Sequence, residues 1–326
     1  MKYLILMMLI LGTPFAMAEN KPVLTVYAPD YFTSEWGPGP SIEKAFEEIC
    51  DCDLNFSAGD ILPRLILEGP NTKADIVIGL NTDITEKALE TGLFADHGQD
   101  NGALRLPIDW TDNTFLPFNW SFVAFIFDEN TPTLPKSFED LINLPDSAKL
   151  VIQDPRTSVS GLALLLWVKS VYGDQAERFW KRLKPKILTV TKGWSESYGL
   201  FADGEAQGVL SFTTSPAYHI VVEKDNSKKA AIFNEGHYPY FELAAKLANS
   251  KQPELASQFM AFILSGSFQN LIPMTNWSYP SAQSKSEWPK VFSDLPIPDK
   301  IQYFEKSQAQ KLSKIAIEEW RRALSQ

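Results

Sequence analysis

One segment that resembles a buried strand constrains the fold more than any other part of the chain. Residues 74–80 read ADIVIGL, a run of small, apolar and β-branched residues with hardly any polar character. Strands that are apolar on both faces occur in parallel sheets, where crossover helices cover each side. We therefore expect an α/β protein whose sheet is mostly parallel.

Strand and helix patterns alternate on both sides of this segment, as expected for right-handed βαβ units. Polar residues or glycines mark most of the boundaries between them. The predicted strands are a first one starting near Val23, then Cys52–Ser57, Leu150–Gln153, Ile187–Thr191 and Gly208–Phe212, and the predicted helices are Ile42–Ile49, Leu62–Glu68, Thr85–Thr91, Ser137–Leu144, Leu162–Tyr172, Asp174–Leu183, Pro253–Leu264 and Ser307–Leu324.

Two long strand patterns predict crossings between two lobes. Residues 114–127, TFLPFNWSFVAFIF, form an aromatic-rich strand pattern with no helix before it, and residues 239–248 predict a strand that returns to the first lobe. Two lobes joined by such crossings form a hinge with a ligand cleft between them. We assign 1–18 to a signal peptide, 19–118 with 237–285 to lobe one, and 119–236 with 286–326 to lobe two.

The N-terminus has the pattern of a signal peptide. Lys2 supplies a positive charge, Tyr3–Leu11 is apolar, and Ala16-Met17-Ala18 fits a cleavage site. The apolar run is too short for a transmembrane helix. We expect cleavage after Ala18 and export to the periplasm.

Composition excludes some partners and leaves the cysteines open. A net charge of −10 argues against nucleic acid and anionic membranes, which both require a basic face. Cys50 and Cys52 are compatible either with a local disulfide or with buried or unpaired thiols. The three histidines have no metal-ligand spacing, so neither a metal nor a cofactor is predicted.

Residues 189–219, TVTKGWSESYGLFADGEAQGVLSFTTSPAYH, are the main candidate for a ligand site. Trp194 lies at a predicted junction between a loop and a helix, with Ser195 as the expected cap. Tyr218 closely follows the predicted strand Gly208–Phe212, and Pro216 suits a first helical position. Aromatic side chains beyond strand ends face the crevice where α/β sheets bind ligands.

Two further polar features have both a functional and a structural interpretation. Thr157-Ser158-Val159-Ser160-Gly161 precedes a helix, so its free N–H groups and hydroxyls suit a phosphate, although the residues alone favour an ordinary capped helix start. Arg156 is expected to pair with Asp154 rather than with a ligand. Asp60 could accept a hydrogen bond from a ligand, but a lone carboxylate at such a place is commonly a helix cap.

Several segments together resemble the periplasmic thiamine-binding proteins of thiamine ABC transporters. They are LTVYAPDYFTSEWGPGP, ADIVIGLNTDITEKALETGLFAD, QDPRTSVSGLALLLWVKSVYGD, the 189–219 stretch and NWSYP, and they span nearly the whole mature chain. The resemblance implies a two-lobed type II periplasmic-binding-protein fold. It also implies a monomer without enzymatic activity that captures thiamine or its mono- and diphosphates and delivers them to an inner-membrane permease with its ATPase.

The resemblance also implies a set of ligand-binding residues. Aromatic contacts match Trp194, Tyr218 and Trp277, the phosphate end matches Ser158, and an acidic position matches Asp60. Together with Ser160, Gly161 and Phe212 these are the predicted site residues. The chain departs from the family pattern at Pro29 and Phe212, where tyrosines are expected, and at Asn119-Trp120-Ser121, where Asp-Tyr-Gly is expected. These departures bear on affinity and on preference among the three thiamine forms.

Two other classes of function remain as alternatives. Thiaminase I has a similar two-lobed fold and a cysteine nucleophile, which must be a thiolate next to a base. Cys50 and Cys52 are predicted to lie away from the pocket, which disfavours that reaction. The same fold could instead bind ferric iron, a polyamine or a phosphonate, but the predicted pocket lacks the clustered tyrosines that iron requires.

Overall fold

A computed structural model describes residues 21–129, 131 and 133–325 of the chain. The predicted signal peptide lies outside these residues. Within them, no helix combines the length and the apolarity that crossing a membrane requires.

The described elements alternate largely as the sequence predicts. The strands are β1 Val23–Ala28, β2 Asp53–Ala58, β3 Ile76–Asn81, β4 Leu116–Asp128, β5 Leu150–Gln153, β6 Ile187–Thr191, β7 Gly208–Phe212, β8 Lys228–Ala230, β9 Pro239–Lys246 and β10 Tyr279–Pro280. The α-helices are α1 Asp30–Thr33, α2 Gly39–Cys50, α3 Ile61–Glu68, α4 Thr85–Leu89, α5 Phe138–Ile142, α6 Val159–Tyr172, α7 Ala176–Leu183, α8 Trp194–Ala202, α9 Pro216–Tyr218, α10 Pro253–Ile263, α11 Gly266–Gln269, α12 Ile272–Thr275, α13 Lys290–Ser293 and α14 Lys306–Ser325.

The strands form one continuous mixed sheet in the order β2-β1-β3-β9-β4-β7-β5-β6. Strands β2, β1 and β3 are parallel, as are β7, β5 and β6, whereas β9 and β4 between them are antiparallel to their neighbours. Because the carboxyl ends of parallel strands meet at one edge, each parallel set presents its following loops together.

Strand β4 joins the two halves of the sheet, as its sequence pattern predicts. Residues 116–122 pair with β9, and residues 123–127 pair with β7. Twelve of its thirteen residues are buried, because both faces are covered. The predicted crossing strands are thus the central β4 and β9.

Separate apolar clusters lie in the two halves. A large cluster of α5, α6, α7 and α14 covers the half of the sheet built from β4, β5 and β7. Two further clusters surround β1, β3 and β9. Trp288, Phe292 and Leu295 pack with one of these two clusters, although the predicted division places them in lobe two.

Of the alternatives for the two cysteines, the structure has the disulfide, which joins Cys50 and Cys52 at the end of α2. Asp51 between them has a left-handed backbone with φ of 47°. No free thiol therefore occurs in the described chain. A cysteine nucleophile of the thiaminase kind has no candidate in this structure.

Candidate functional site

Three neighbouring parallel strands place the predicted site residues of the second half. Strands β5, β6 and β7 end at Gln153, Thr191 and Phe212. The segments that leave these ends carry Ser158, Trp194 and Tyr218, respectively. Because the three strand ends share one edge of the sheet, residues far apart in sequence meet there.

An aromatic row connects the three predicted aromatic residues. The Trp194 ring stacks on Tyr198 with centroids 4.8 Å apart, and Tyr198 stacks on His219 at 5.8 Å. His219 meets the adjacent Tyr218 at 5.5 Å, and Tyr218 meets Trp277 edge to face at 5.2 Å. The predicted residues Trp194, Tyr218 and Trp277 thus belong to one aromatic row that joins both halves of the molecule.

Hydrogen bonds fix the Trp194 end of this row. Trp194 Nε1 donates to Ser211 Oγ at 2.8 Å. The helix begins at Trp194 itself with Gly193 as the N-cap, so the expected cap at Ser195 is wrong. Ser195 lies two residues after the N-cap, because Trp194 already has helical geometry. Because Ser211 lies in β7, the Trp194 ring is anchored by this strand rather than by a loop.

His219 is a buried structural residue. It is 2% exposed, its Nε2 lies 2.8 Å from the Tyr198 hydroxyl, and its Nδ1 lies 2.6 Å from Glu223 Oε2. Burial raises the pKa of Tyr198, so that hydroxyl keeps its proton. The Tyr198 and Tyr218 rings are therefore held through one histidine.

One group of described residues has the spacing of metal ligands, namely His219, Glu223 and Asp225, with one ligand atom each within 4.8 Å of the others. Both His219 nitrogens already have partners, and Asp225 forms an ion pair with Lys228 at 3.2 Å. These contacts satisfy the group without a cation. We therefore regard it as structural support for the aromatic row.

The predicted phosphate cradle is a hydroxyl-rich helix start. Ser158 is the N-cap of α6 and accepts from the Gly161 N–H at 3.4 Å, and its Oγ lies 2.9 Å from Ser160 Oγ. Ser160 donates to Gln153 Oε1 at 2.9 Å. Arg156 pairs with Asp154 at 2.9 Å, as expected from the sequence. The Ser158 and Ser160 hydroxyls are therefore held in place by each other and by Gln153.

Gln153 connects this helix start to the aromatic row. Its Nε2 donates to Ser197 Oγ and, at 3.0 Å, to the Leu210 carbonyl. Ser197 donates in turn to the Trp194 carbonyl at 2.9 Å. Sequence reasoning missed Gln153, although a buried polar residue at the end of the apolar strand LVIQ is a recognisable signal.

The structure shows why residue 161 is a glycine, which the sequence did not. A Cβ at this position would lie 2.6 Å from the Gln153 carbonyl oxygen. The missing side chain of Gly161 therefore allows α6 to pack closely against the end of β5. Phe212 packs its ring against Tyr240 with centroids 4.8 Å apart, at the edge of the same region.

Asp60 and two of the departures from the family pattern, Pro29 and Asn119-Trp120-Ser121, lie in the first half, whereas Phe212 ends β7 in the second. Asp60 is the N-cap of α3 by position, but its side chain is exposed and makes no capping hydrogen bond. Pro29 packs so tightly on Gly79 that a Cβ there would lie 2.6 Å from the proline Cδ. Asn119 donates to Glu242 at 2.6 Å, and Ser121 Oγ lies 3.0 Å from Thr214 Oγ1.

Trp36 is a further candidate that sequence reasoning missed. It follows α1 at the carboxyl end of β1, and it is 59% exposed. Trp36 and Tyr218 are the most exposed tryptophan and tyrosine of the described chain. An exposed indole beyond the carboxyl end of a parallel strand is suited to cover a ligand.

The chain resembles proteins whose names describe solute binding. The sequence profile of bacterial extracellular solute-binding proteins matches residues 71–306. The thiamine-binding periplasmic protein of Salmonella typhimurium LT2 is 46% identical over 329 residues, which cover 99% of each chain.

Solved structures agree with this relationship. A periplasmic thiamin binding protein has a TM-score of 0.90 at 46% identity, with 94% of this chain and 97% of that chain covered. The ferric binding protein from Campylobacter jejuni has a TM-score of 0.76 at 20% identity over 92% of this chain and 99% of its own, which shows a shared fold alone. By fold and by sequence, the chain belongs to the bacterial extracellular solute-binding protein family.

Proposed function

We propose that this protein binds thiamine, thiamine monophosphate and thiamine diphosphate in the periplasm, after cleavage behind Ala18, and delivers them to the permease of an ABC transporter. It acts as a monomer, without a cofactor and without changing the ligand. The aromatic row from Trp194 to Trp277 is the observation that carries this proposal. The thiamine-binding names of relatives that match nearly the full chain support the choice of ligand.

Thiamine chemistry fits the parts of the site. Its thiazolium ring is a permanent cation, and aromatic faces attract such a cation by about 0.5–2 kcal/mol each once water is removed. Its aminopyrimidine is flat and stacks on rings. The phosphate of the esters suits the hydroxyls and free N–H groups at the start of α6.

Calorimetry and tryptophan fluorescence with the purified mature protein test the proposal. We expect sub-micromolar binding of thiamine, which corresponds to at least about 8 kcal/mol, with quenching of indole emission. Mass spectrometry after incubation should recover the ligand intact. Binding of ferric iron or a polyamine in place of all three thiamine forms would contradict the proposal.

Ser158→Ala tests the phosphate end separately. We expect the variant to lose several-fold affinity for thiamine diphosphate while its affinity for thiamine stays nearly unchanged, because only the ester meets the α6 start. Ser170→Ala is the matched control near the other end of α6, where the hydroxyl donates to the Trp167 carbonyl at 2.7 Å, and it should bind both ligands as the wild type does. An equal loss for both ligands in Ser158→Ala would show that the hydroxyl acts only as a helix cap.

A further inference from the structure

Three strands bring polar side chains to one level of the sheet, next to the aromatic row. In the pairing of β3, β9 and β4, Glu242 lies opposite Asn81 on one side and opposite Asn119 on the other. Directly opposed residues of antiparallel strands share a face. The register shifts just before both asparagines, between Ile78 and Leu80 and between Pro117 and Asn119. Such bulges commonly re-aim side chains beside functional sites.

Glu242 is a buried carboxylate that receives three hydrogen bonds from neutral donors. Asn119 Nδ2 donates to its Oε2 at 2.6 Å, Asn276 Nδ2 donates to the same oxygen at 2.7 Å, and the Tyr31 hydroxyl donates to Oε1. Glu242 is 5% exposed. Burial raises its pKa, and the three donors oppose that shift because they stabilise the charged form.

The charge of Glu242 has no cationic partner among the described residues. The ion pairs within 21–129, 131 and 133–325 do not include it. Buried charges are ordinarily paired, because an isolated charge loses its hydration. An unpaired buried carboxylate that binds the residue preceding Trp277 therefore points to a cation that arrives with the ligand.

The neighbouring amides add acceptors and no competing donors. Asn119 Oδ1 and Asn81 Oδ1 are buried and have no hydrogen-bond partner. Their orientation follows from the carboxylates, because Asn119 Nδ2 faces Glu242 and Asn81 Nδ2 donates to Asp83 at 3.2 Å. Glu242, Asn119 and Asn81 thus combine one negative charge with two unused acceptors.

Glu242 is also connected to the aromatic row. Its donor Asn276 directly precedes Trp277, which meets Tyr218 at 5.2 Å. Its donor Tyr31 lies on α1, at the start of the loop that carries Trp36. One carboxylate therefore holds the backbone before one aromatic residue and the helix before another.

We propose that Glu242 is a positioning and specificity-determining residue that makes the site prefer a cationic heteroaromatic ligand. It holds the Trp277 segment through Asn276, and its unneutralised charge lies one hydrogen bond from the residue that precedes Trp277. This inference rests on the proposed function, since thiamine supplies the cation.

Binding of thiamine and of 3-deazathiamine, its uncharged thiophene isostere, tests the inference by calorimetry. We expect Glu242→Gln to weaken thiamine binding at least about tenfold while the affinity for 3-deazathiamine changes less than about threefold. Only the thiazolium cation of thiamine interacts with the negative charge of Glu242. Glu242→Asp keeps the charge and should retain the preference for thiamine. Asn276→Ala keeps the charge but frees the Trp277 segment, so both ligands should weaken by a similar factor.

Glu254→Gln is the control for net charge, since Glu254 is exposed in the first turn of α10. It should bind both ligands as the wild type does. Circular dichroism confirms that each variant is folded. Equal weakening of both ligands in Glu242→Gln, or no weakening, would overturn the inference while the wild type still binds thiamine. A wild type that binds neither ligand would overturn the proposed function itself, and the inference with it.

Discussion

Trp277 has a backbone conformation that residues with side chains rarely adopt. Its φ is 53°, in the left-handed region where a bulky residue is strained. Strain of this kind persists where surrounding contacts enforce it, and it clusters at ligand sites. Here Asn276 is bound to Glu242 on one side, and the Trp277 ring meets Tyr218 on the other.

The strain at Trp277 predicts an unusual order of stability between two variants. Trp277→Gly and Trp277→Ala both remove the ring, but only alanine keeps a Cβ in the left-handed region. We expect the glycine variant to have the higher free energy of unfolding, by about 1 kcal/mol. Urea denaturation of both variants measures this difference.

Trp194 provides the matched control, because it is the first residue of a regular helix. There Trp194→Gly should be less stable than Trp194→Ala by roughly 0.5–1 kcal/mol, the ordinary helix order. The same order at Trp277 would show that its φ carries no strain.

At the scale of elements, the packing of α6 on β5 determines where the hydroxyl-rich helix start lies. Gly161 permits that packing, because a Cβ would meet the Gln153 carbonyl at 2.6 Å. We expect Gly161→Ala to lower the free energy of unfolding by about 1–3 kcal/mol, as overpacking does. It should also weaken ligand binding, since Ser158 and Ser160 move with the helix.

Gly199 within α8 offers the opposite case. A Cβ there would have nothing within 4 Å. Gly199→Ala should raise the free energy of unfolding by roughly 0.5–1 kcal/mol through helix propensity. Thermal unfolding of both variants gives the comparison, and a destabilisation of equal size at the two glycines would refute the role of the β5 contact.

At the scale of the whole molecule, Asp83 lies where the two halves meet. Its segment, residues 82–84, packs against α6 and α14, and the carboxylate accepts from the Tyr238 hydroxyl at 2.8 Å, just before β9. Burial raises the pKa of Asp83 to about 7, although its hydrogen bonds with Tyr238 and Asn81 partly oppose the shift. In the folded state the protonated form is therefore favoured below about pH 7.

The raised pKa predicts how stability changes with pH. The contribution of Asp83 is complete below the unfolded pKa of about 3.9 and is lost as the pH rises towards 7. Relative to Asp83→Asn, the wild type should lose roughly 1.4 kcal/mol of unfolding free energy per pH unit between pH 5 and 7. Urea denaturation at several pH values measures both proteins.

Asp225→Asn is the control for this pH series. Hydrogen bonds with Ser227 lower the pKa of Asp225 to about 2. The contribution of Asp225 to the free energy of unfolding is therefore lost only as the pH falls from about 4 towards 2. The unfolding free energies of Asp225→Asn and the wild type should thus change in parallel between pH 5 and 7. A parallel course for Asp83→Asn in that range would contradict the raised pKa.

The sequence by itself determined the class of fold, because periodicity is a local property. The apolar run at 74–80 became the buried strand β3, and the aromatic pattern at 114–127 became β4, which pairs with both halves of the sheet. Aromatic residues near predicted strand ends also led to Trp194 and Tyr218, since strand ends in such sheets share an edge. The placement of Ser158, Trp277 and Asp60 depended on the family resemblance.

Tertiary structure alone decided which polar groups meet. Asn81, Asn119, Glu242 and Asn276 are distant in sequence and carry no motif, yet two bulges and a strand register bring three of them into one row, with Asn276 bound to it. Likewise, Gln153 and Tyr198 gained their positions from the contacts between helices and strand ends. Periodicity records which face of an element is apolar, whereas register and long-range hydrogen bonds depend on how the elements pack, and no local pattern encodes that.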